Sequence, residues 1–165
     1  MNLLKDECKS SLTDLLFGIC DDDDNNPAYL NTDSTDKVKW IATVTNPQCL
    51  DIAFWAIDNC VDCSDEQGNQ VTRCDGILHY RDIYHFVELK ARKKGSWMSK
   101  GFKQLRATIY LFIESQNGQV DRKKIIAQLS NSLKPCTHVI KQQQLALFKD
   151  EVGIKNVKLN PLISI

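Results

Sequence analysis

The chain is expected to fold as an α/β domain with a central mixed β-sheet flanked by helices. Three observations predict this. Residues 71–80 and 83–91 are rich in β-branched and aromatic side chains and are separated by Arg81-Asp82 alone, which is hairpin spacing. Residues 99–115 follow with Phe102, Leu105, Ile109, Phe112 and Ile113 at helical spacing. Apolar segments of both periods lie on either side, and 165 residues suit one domain.

Residues 3–19 carry Leu4, Cys8, Leu12, Leu15, Leu16 and Ile19, a spacing that predicts an amphipathic helix. The acidic run from Asp21 onward, ending in Asn25-Asn26-Pro27, lacks the alternating acids and the Gly of a calcium loop and reads as a solvated loop. Residues 38–45 read as a strand that Asn46-Pro47 breaks. Residues 50–60 are apolar almost all round and predict a buried helix, and 65–70 predict a polar turn. After the hairpin, Lys93-Lys94-Gly95-Ser96 ends the second strand, and Asn117-Gly118 stops the helix at 99–115. Residues 121–133 predict another helix with Asp121 as N-cap. Beyond Pro135, residues 137–140 predict a short strand, 142–152 a helix or a strand, and 156–159 a last strand. The expected organisation is an acidic N-terminal helix and loop over 1–36, then a single α/β domain over 37–165.

The formal net charge is zero, but it is unevenly spread. Residues 1–36 carry a net −7, residues 37–89 a net −4, residues 90–106 a net +7 with no acid, and residues 107–165 a net +4. A local phosphate-binding patch is compatible with such segregation. No apolar run approaches the length of a membrane span, and the first residues are too charged for a secretory leader, so a cytoplasmic chain without a membrane partner is expected.

The chemistry concentrates on the hairpin. Glu88 and Lys90 are two apart on a strand and share one face. Antiparallel pairing around Arg81-Asp82 brings Asp75 opposite the Glu88–Lys90 region. Two carboxylates and an ammonium on one patch of sheet are costly unless something binds there. A hard divalent cation fits, because Mg2+ (or Mn2+) is often held by one or two carboxylates, several waters and phosphate oxygens. Such an ion lowers the pKa of a bound water and neutralises phosphodiester charge, with Lys90 as a point-charge donor or base. Lys93, Lys94, Lys100, Lys103 and Arg106 follow as candidates for holding a nucleic-acid backbone.

Asp75, then Glu88-Leu89-Lys90, then a helix carrying Gln104 in GFKQLRATIY, resemble the PD-(D/E)XK nuclease superfamily. Thr108 stands where the RecB-like pattern has an aromatic residue. The resemblance covers about 70 residues. It implies a restriction-endonuclease-like core and metal-dependent phosphodiester cleavage. Asp75, Glu88 and the Leu89 carbonyl would be metal ligands, Lys90 the base or positioner, and Gln104 a site residue. An acid on a first core helix is also implied, with Asp58 preferred over Asp51. The expected substrate is DNA ahead of RNA, with a protein partner or self-association supplying specificity. The rival expectation is a non-catalytic nuclease-like module of immunity or antitoxin type, its acidic first 36 residues covering a basic partner.

Seven cysteines are expected as free thiols, mostly acting as small apolar groups. Cys60-x-x-Cys63 with Cys74 and Cys49 suggests a structural zinc only weakly, because the second C-x-x-C pair is missing. His79, His85 and His138 are ungrouped and read as structural, and Trp97 reads either as a base-stacking ring or as packing over the sheet edge.

Overall fold

A computed structural model describes residues 2–22, 25–64, 67–92, 95–133 and 138–165. Its strands are β1 (Lys9–Leu12), β2 (Leu16–Cys20), β3 (Tyr29–Asn31), β4 (Ala42–Thr45), β5 (Ile52–Ala56), β6 (Gly76–Tyr80), β7 (Ile83–Lys90), β8 (Ile125–Asn131), β9 (Asn156–Leu159) and β10 (Leu162–Ser164), and its α-helices are α1 (Trp97–Ser115) and α2 (His138–Val152). The larger sheet runs β1-β5-β6-β7-β8-β9 and the smaller β10-β4-β2-β3. Strands β1, β5, β6 and β7 pair antiparallel, and β7, β8 and β9 pair parallel, so the large sheet is mixed.

The expected α/β class with a mixed sheet is the observed one. Helices cover one face of the large sheet, and the small sheet covers the other. On the helix side, Phe102, Leu105, Ile109 and Phe112 of α1 and Phe148 of α2 pack with Trp55, Ile77, Phe86, Ala127 and Leu129. On the other side, Phe17, Ile19, Val44 and Ile163 of the small sheet pack with Ile52, Phe54, Leu78, Val87 and Leu89.

Burial on both faces explains where periodicity misled. The helix expected over 50–60 is strand β5, with Ile52 and Phe54 in one core and Trp55 in the other. Such a strand is a continuous apolar run that a buried helix also produces. The helix expected over 121–133 is a 3₁₀ turn, Arg122–Lys124, followed by β8, which is buried along its whole length. Asp121 does cap that turn, accepting from the Lys123 N–H at 2.9 Å. The helix expected over 3–19 is a 3₁₀ turn, Asp6–Cys8, then β1 and β2, so the first 36 residues supply strands to both sheets. The strand expected over 38–45 is only Ala42–Thr45, after a 3₁₀ stretch at Ser34–Lys39. Residues 138–140 begin α2 instead of a strand, and Thr137 lies outside the described residues.

The hairpin and its helix follow the sequence closely. Tyr80 pairs with Ile83 across Arg81-Asp82, and Arg81 takes the left-handed φ of 55° that a tight two-residue turn demands. Helix α1 ends where Asn117 and Gly118 adopt φ of 54° and 73°, with the Gly118 N–H returning to the Ile113 carbonyl at 2.9 Å.

Candidate active site

Asp75 immediately precedes β6, and Glu88 and Lys90 lie at the end of β7. The Oδ2 of Asp75 accepts the Leu89 N–H at 2.5 Å, so the carboxylate caps the strand beside the Glu88–Lys90 pair. The Asp75 carbonyl accepts the Ile57 N–H at 2.9 Å, which ties the segment after β5 to the same point. Asp75 is 6% exposed and Glu88 is fully buried.

Two carboxylates this deep need compensation. Lys90 Nζ forms an ion pair with Glu88 Oε1. Lys90 is the partner of that oxygen, and Glu88 Oε2 has no hydrogen-bond partner. Burial pushes Asp75 up to about 7, against the opposing charge of Lys90 and the Leu89 N–H. Burial and the Asp75 charge hold Glu88 well above the usual carboxylate range, against Lys90. Burial alone would lower Lys90, but Glu88, Asp75 and Asp21 outweigh it and hold the amine above its ordinary value. Lys90 is charged, because three carboxylates act on it, and the proton that burial retains is shared by the Asp75–Glu88 pair as a unit.

Helix α1 closes the site from the side. Gly101 is there because a Cβ would stand 2.5 Å from Leu129 Cδ1 and 3.3 Å from Glu88 Cγ. One turn on, Gln104 Nε2 donates to the Arg73 carbonyl at 3.0 Å. Thr108 is buried, accepts the Cys74 N–H at 2.7 Å and donates to the Gln104 carbonyl at 3.0 Å. The helix therefore grips the two residues leading into Asp75.

The remaining candidates divide. Asp58 pairs with Arg73 Nε at 3.0 Å and bears on the site by charge, raising both Asp75 and Glu88. Neither Asp51 nor Asp58 is on a first core helix, because strand β5 stands there. They lie beyond opposite ends of strand β5, and Asp51 lines a groove with His79 and Arg81. Lys100 and Lys103 are exposed on α1, with Lys100 one turn before Gln104 on the same flank. Arg106 is on the other flank, ion-paired with Glu151 of α2, which takes it out of the expected basic row. Lys93 and Lys94 lie outside the described residues. Trp97 is buried in the helix-side core, so its ring is packing, not a stacking surface. Arg73, Thr108, Gly101 and Asp21 were not singled out from sequence as site residues. A glycine and a threonine on the inner stripe of an otherwise bulky helix were the available signals for two of them.

The cysteines depart from expectation. Cys8 and Cys60 form a disulfide, with Cα atoms 5.9 Å apart across a sequence separation of 52. Cys60 is thereby removed from any thiolate set with Cys63, and Cys63 and Cys74 are buried free thiols while Cys49 is exposed. Among the described residues, no three or more His, Cys, Asp or Glu side chains are grouped to share a metal ion.

His85 is structural, as expected. Its ring contacts Tyr80 Oη at 3.2 Å through Nδ1 and Gln128 Oε1 at 3.0 Å through Nε2. Gln128 Nε2 donates to the Asn160 and Leu162 carbonyls, so its oxygen faces the ring and Nε2 carries the imidazole proton. The side chain of His138 lies outside the described residues.

Comparison with protein-family models, with curated proteins and with solved structures gives no match. A pair of buried carboxylates, one with an oxygen that has no hydrogen-bond partner, fits a small hard cation that keeps most of its waters. It does not fit a closed protein-only cage. Among the described residues no helix is long and apolar enough to cross a membrane.

Proposed function

We propose that this chain is a metal-dependent nuclease that hydrolyses phosphodiester bonds in DNA, in the manner its resemblance to PD-(D/E)XK enzymes implies. The observation that carries the reading is the fully buried Glu88 carboxyl, one oxygen against Lys90 and the other without a hydrogen-bond partner, beside Asp75. A protein retains such a group at a cost of several kcal/mol unless a ligand compensates it. Asp75, Glu88 and the Leu89 carbonyl would hold Mg2+ or Mn2+. When bound, the ion supplies an acidified water and neutralises charge on the phosphodiester. Lys90 orients the attacking water or takes its proton, and stabilises charge that develops on the phosphate. Gln104 holds the Arg73 carbonyl, so it is a positioning residue for the Asp75 segment. Lys100 and Lys103 contact the nucleic-acid backbone from the exposed flank of α1. The setting we propose is the cytoplasm, where the Cys8–Cys60 bond makes stability sensitive to the thiol pool.

A second reading has one observation in its favour. The Glu88–Lys90 ion pair compensates part of the site without a cation. On that reading the chain is a non-catalytic partner-binding module. Incubation with plasmid and single-stranded DNA, in Mg2+ or Mn2+, separates the two. Metal-dependent cutting that Asp75→Ala and Lys90→Ala both lose is the expected result. Absence of cutting on every substrate, together with tight binding to another protein, supports the second reading.

A further inference from the structure

We propose that the open end of the large sheet, over β1, β5 and β6, binds single-stranded DNA and leads it toward the carboxylate site. This rests on the nuclease reading above. Helix α1 lies over β7 and β8, and a groove of about 590 Å³ remains at the far end of the sheet, lined by Lys9, Ser11, Asp51, Ala53, His79 and Arg81. Lys9 and Arg81 are exposed cations. Asp51 is the acid among these residues, and nearby Asp82 is neutralised by Lys124.

Between the cations runs a row of rings. His79 lies on Tyr84 with centroids 4.6 Å apart and meets Trp55 edge-on at 6.3 Å. Lys9 Nζ stands 5.2 Å over the Trp55 ring. Burial lowers the His79 pKa, so the ring is a neutral stacking surface near pH 7. Trp55 itself is buried beneath Lys9, and the part-exposed rings of His79 and Tyr84 beside the cations match the chemistry of an unpaired strand, with bases on aromatic faces and phosphates on Lys and Arg. A duplex hides its base faces, so the rings would be idle against it. His79 is four residues along β6 from Asp75, about 13 Å of extended chain, which is within the reach of a short oligonucleotide.

The test is fluorescence anisotropy on the full chain with a labelled oligothymidine of about 15 nucleotides, in chelator so that nothing is cut. The double variant Lys9→Glu/Arg81→Glu should bind about tenfold more weakly at low salt, with a salt slope shallower by about 1.4 for two lost phosphate contacts. His79→Ala should weaken binding severalfold with the slope unchanged. Lys155→Glu, on the segment before β9 and remote from the groove, should bind as the parent, and thermal melts check that each variant is folded. Unchanged affinity and slope in the double variant overturn the proposal, as does an equal loss on duplex and single strand. If the groove variants lose binding while the parent cuts no substrate with any metal, the groove stands and the nuclease reading fails. If the parent cuts and the groove variants bind normally, the reverse holds.

Discussion

The Thr108 hydroxyl accepts the Cys74 N–H at 2.7 Å and donates to the Gln104 carbonyl at 3.0 Å. One side chain thus joins the middle of α1 to the residue before Asp75. Thr108→Val keeps the shape and leaves the buried Cys74 N–H unmet, a loss of about 1–3 kcal/mol. Urea denaturation should register that loss, and Thr108→Ser should recover most of it. Equal stability of the valine and threonine forms would mean that the N–H finds another acceptor.

Metal binding should be visible without any substrate. Thermal melts of the parent should rise with Mn2+, by the equivalent of about 2.7 kcal/mol at a hundredfold excess over the dissociation constant. The double variant Asp75→Asn/Glu88→Gln should show no such rise. A Mn2+-dependent rise that survives both substitutions would move the ion to another place.

His85 makes stability acid-sensitive. Burial and the charge of Lys158 push its pKa down to about 3, against an ordinary value near 6.5. The fold therefore holds the neutral ring, and its contribution is complete above about pH 6.5. That contribution falls as pH drops toward 3, by about 5 kcal/mol in the limit. His85→Gln should flatten the dependence between pH 7 and 4 while lowering stability at pH 7. A pH profile of the denaturation midpoint that is the same in both proteins would refute the assignment.

The Cys8–Cys60 bond closes a loop of roughly fifty residues, which in the chain-entropy account is worth about 4 kcal/mol. Cys8→Ser, or reduction of the parent, should lower the urea midpoint toward that extent. The two treatments should not be additive. Mass spectrometry after alkylation under non-reducing conditions checks the bond directly.

Local signals made the hairpin, α1 and its stop legible. Arg81-Asp82 admits a two-residue turn, and the stripe Phe102, Leu105, Ile109, Phe112 is the buried face of the helix. The proximity of Asp75 to Glu88 and Lys90 follows from that turn by pairing arithmetic alone. Strands β5 and β8 were not legible, because side chains such as Phe54 and Trp55 enter two different cores and leave no alternation to read. Nor was the small sheet, whose strands are three to five residues long and gain their apolar partners from distant sequence. The disulfide joins cysteines 52 positions apart, a pairing that spacing does not encode.

Strand β7 sends Phe86, Glu88 and Lys90 to the helix side and His85, Val87 and Leu89 to the small sheet. Sliding it by a single position would press the ammonium and the carboxylate into the apolar layer formed by Phe17, Ile19 and Val44, and turn Leu89 toward the helices. Those charges would then meet neither each other's intended neighbours nor Asp75. The groups that make the site expensive thus act as a key that only one alignment of the hairpin accepts, so weakening the charged pair should also loosen the choice between correctly and wrongly threaded forms during folding.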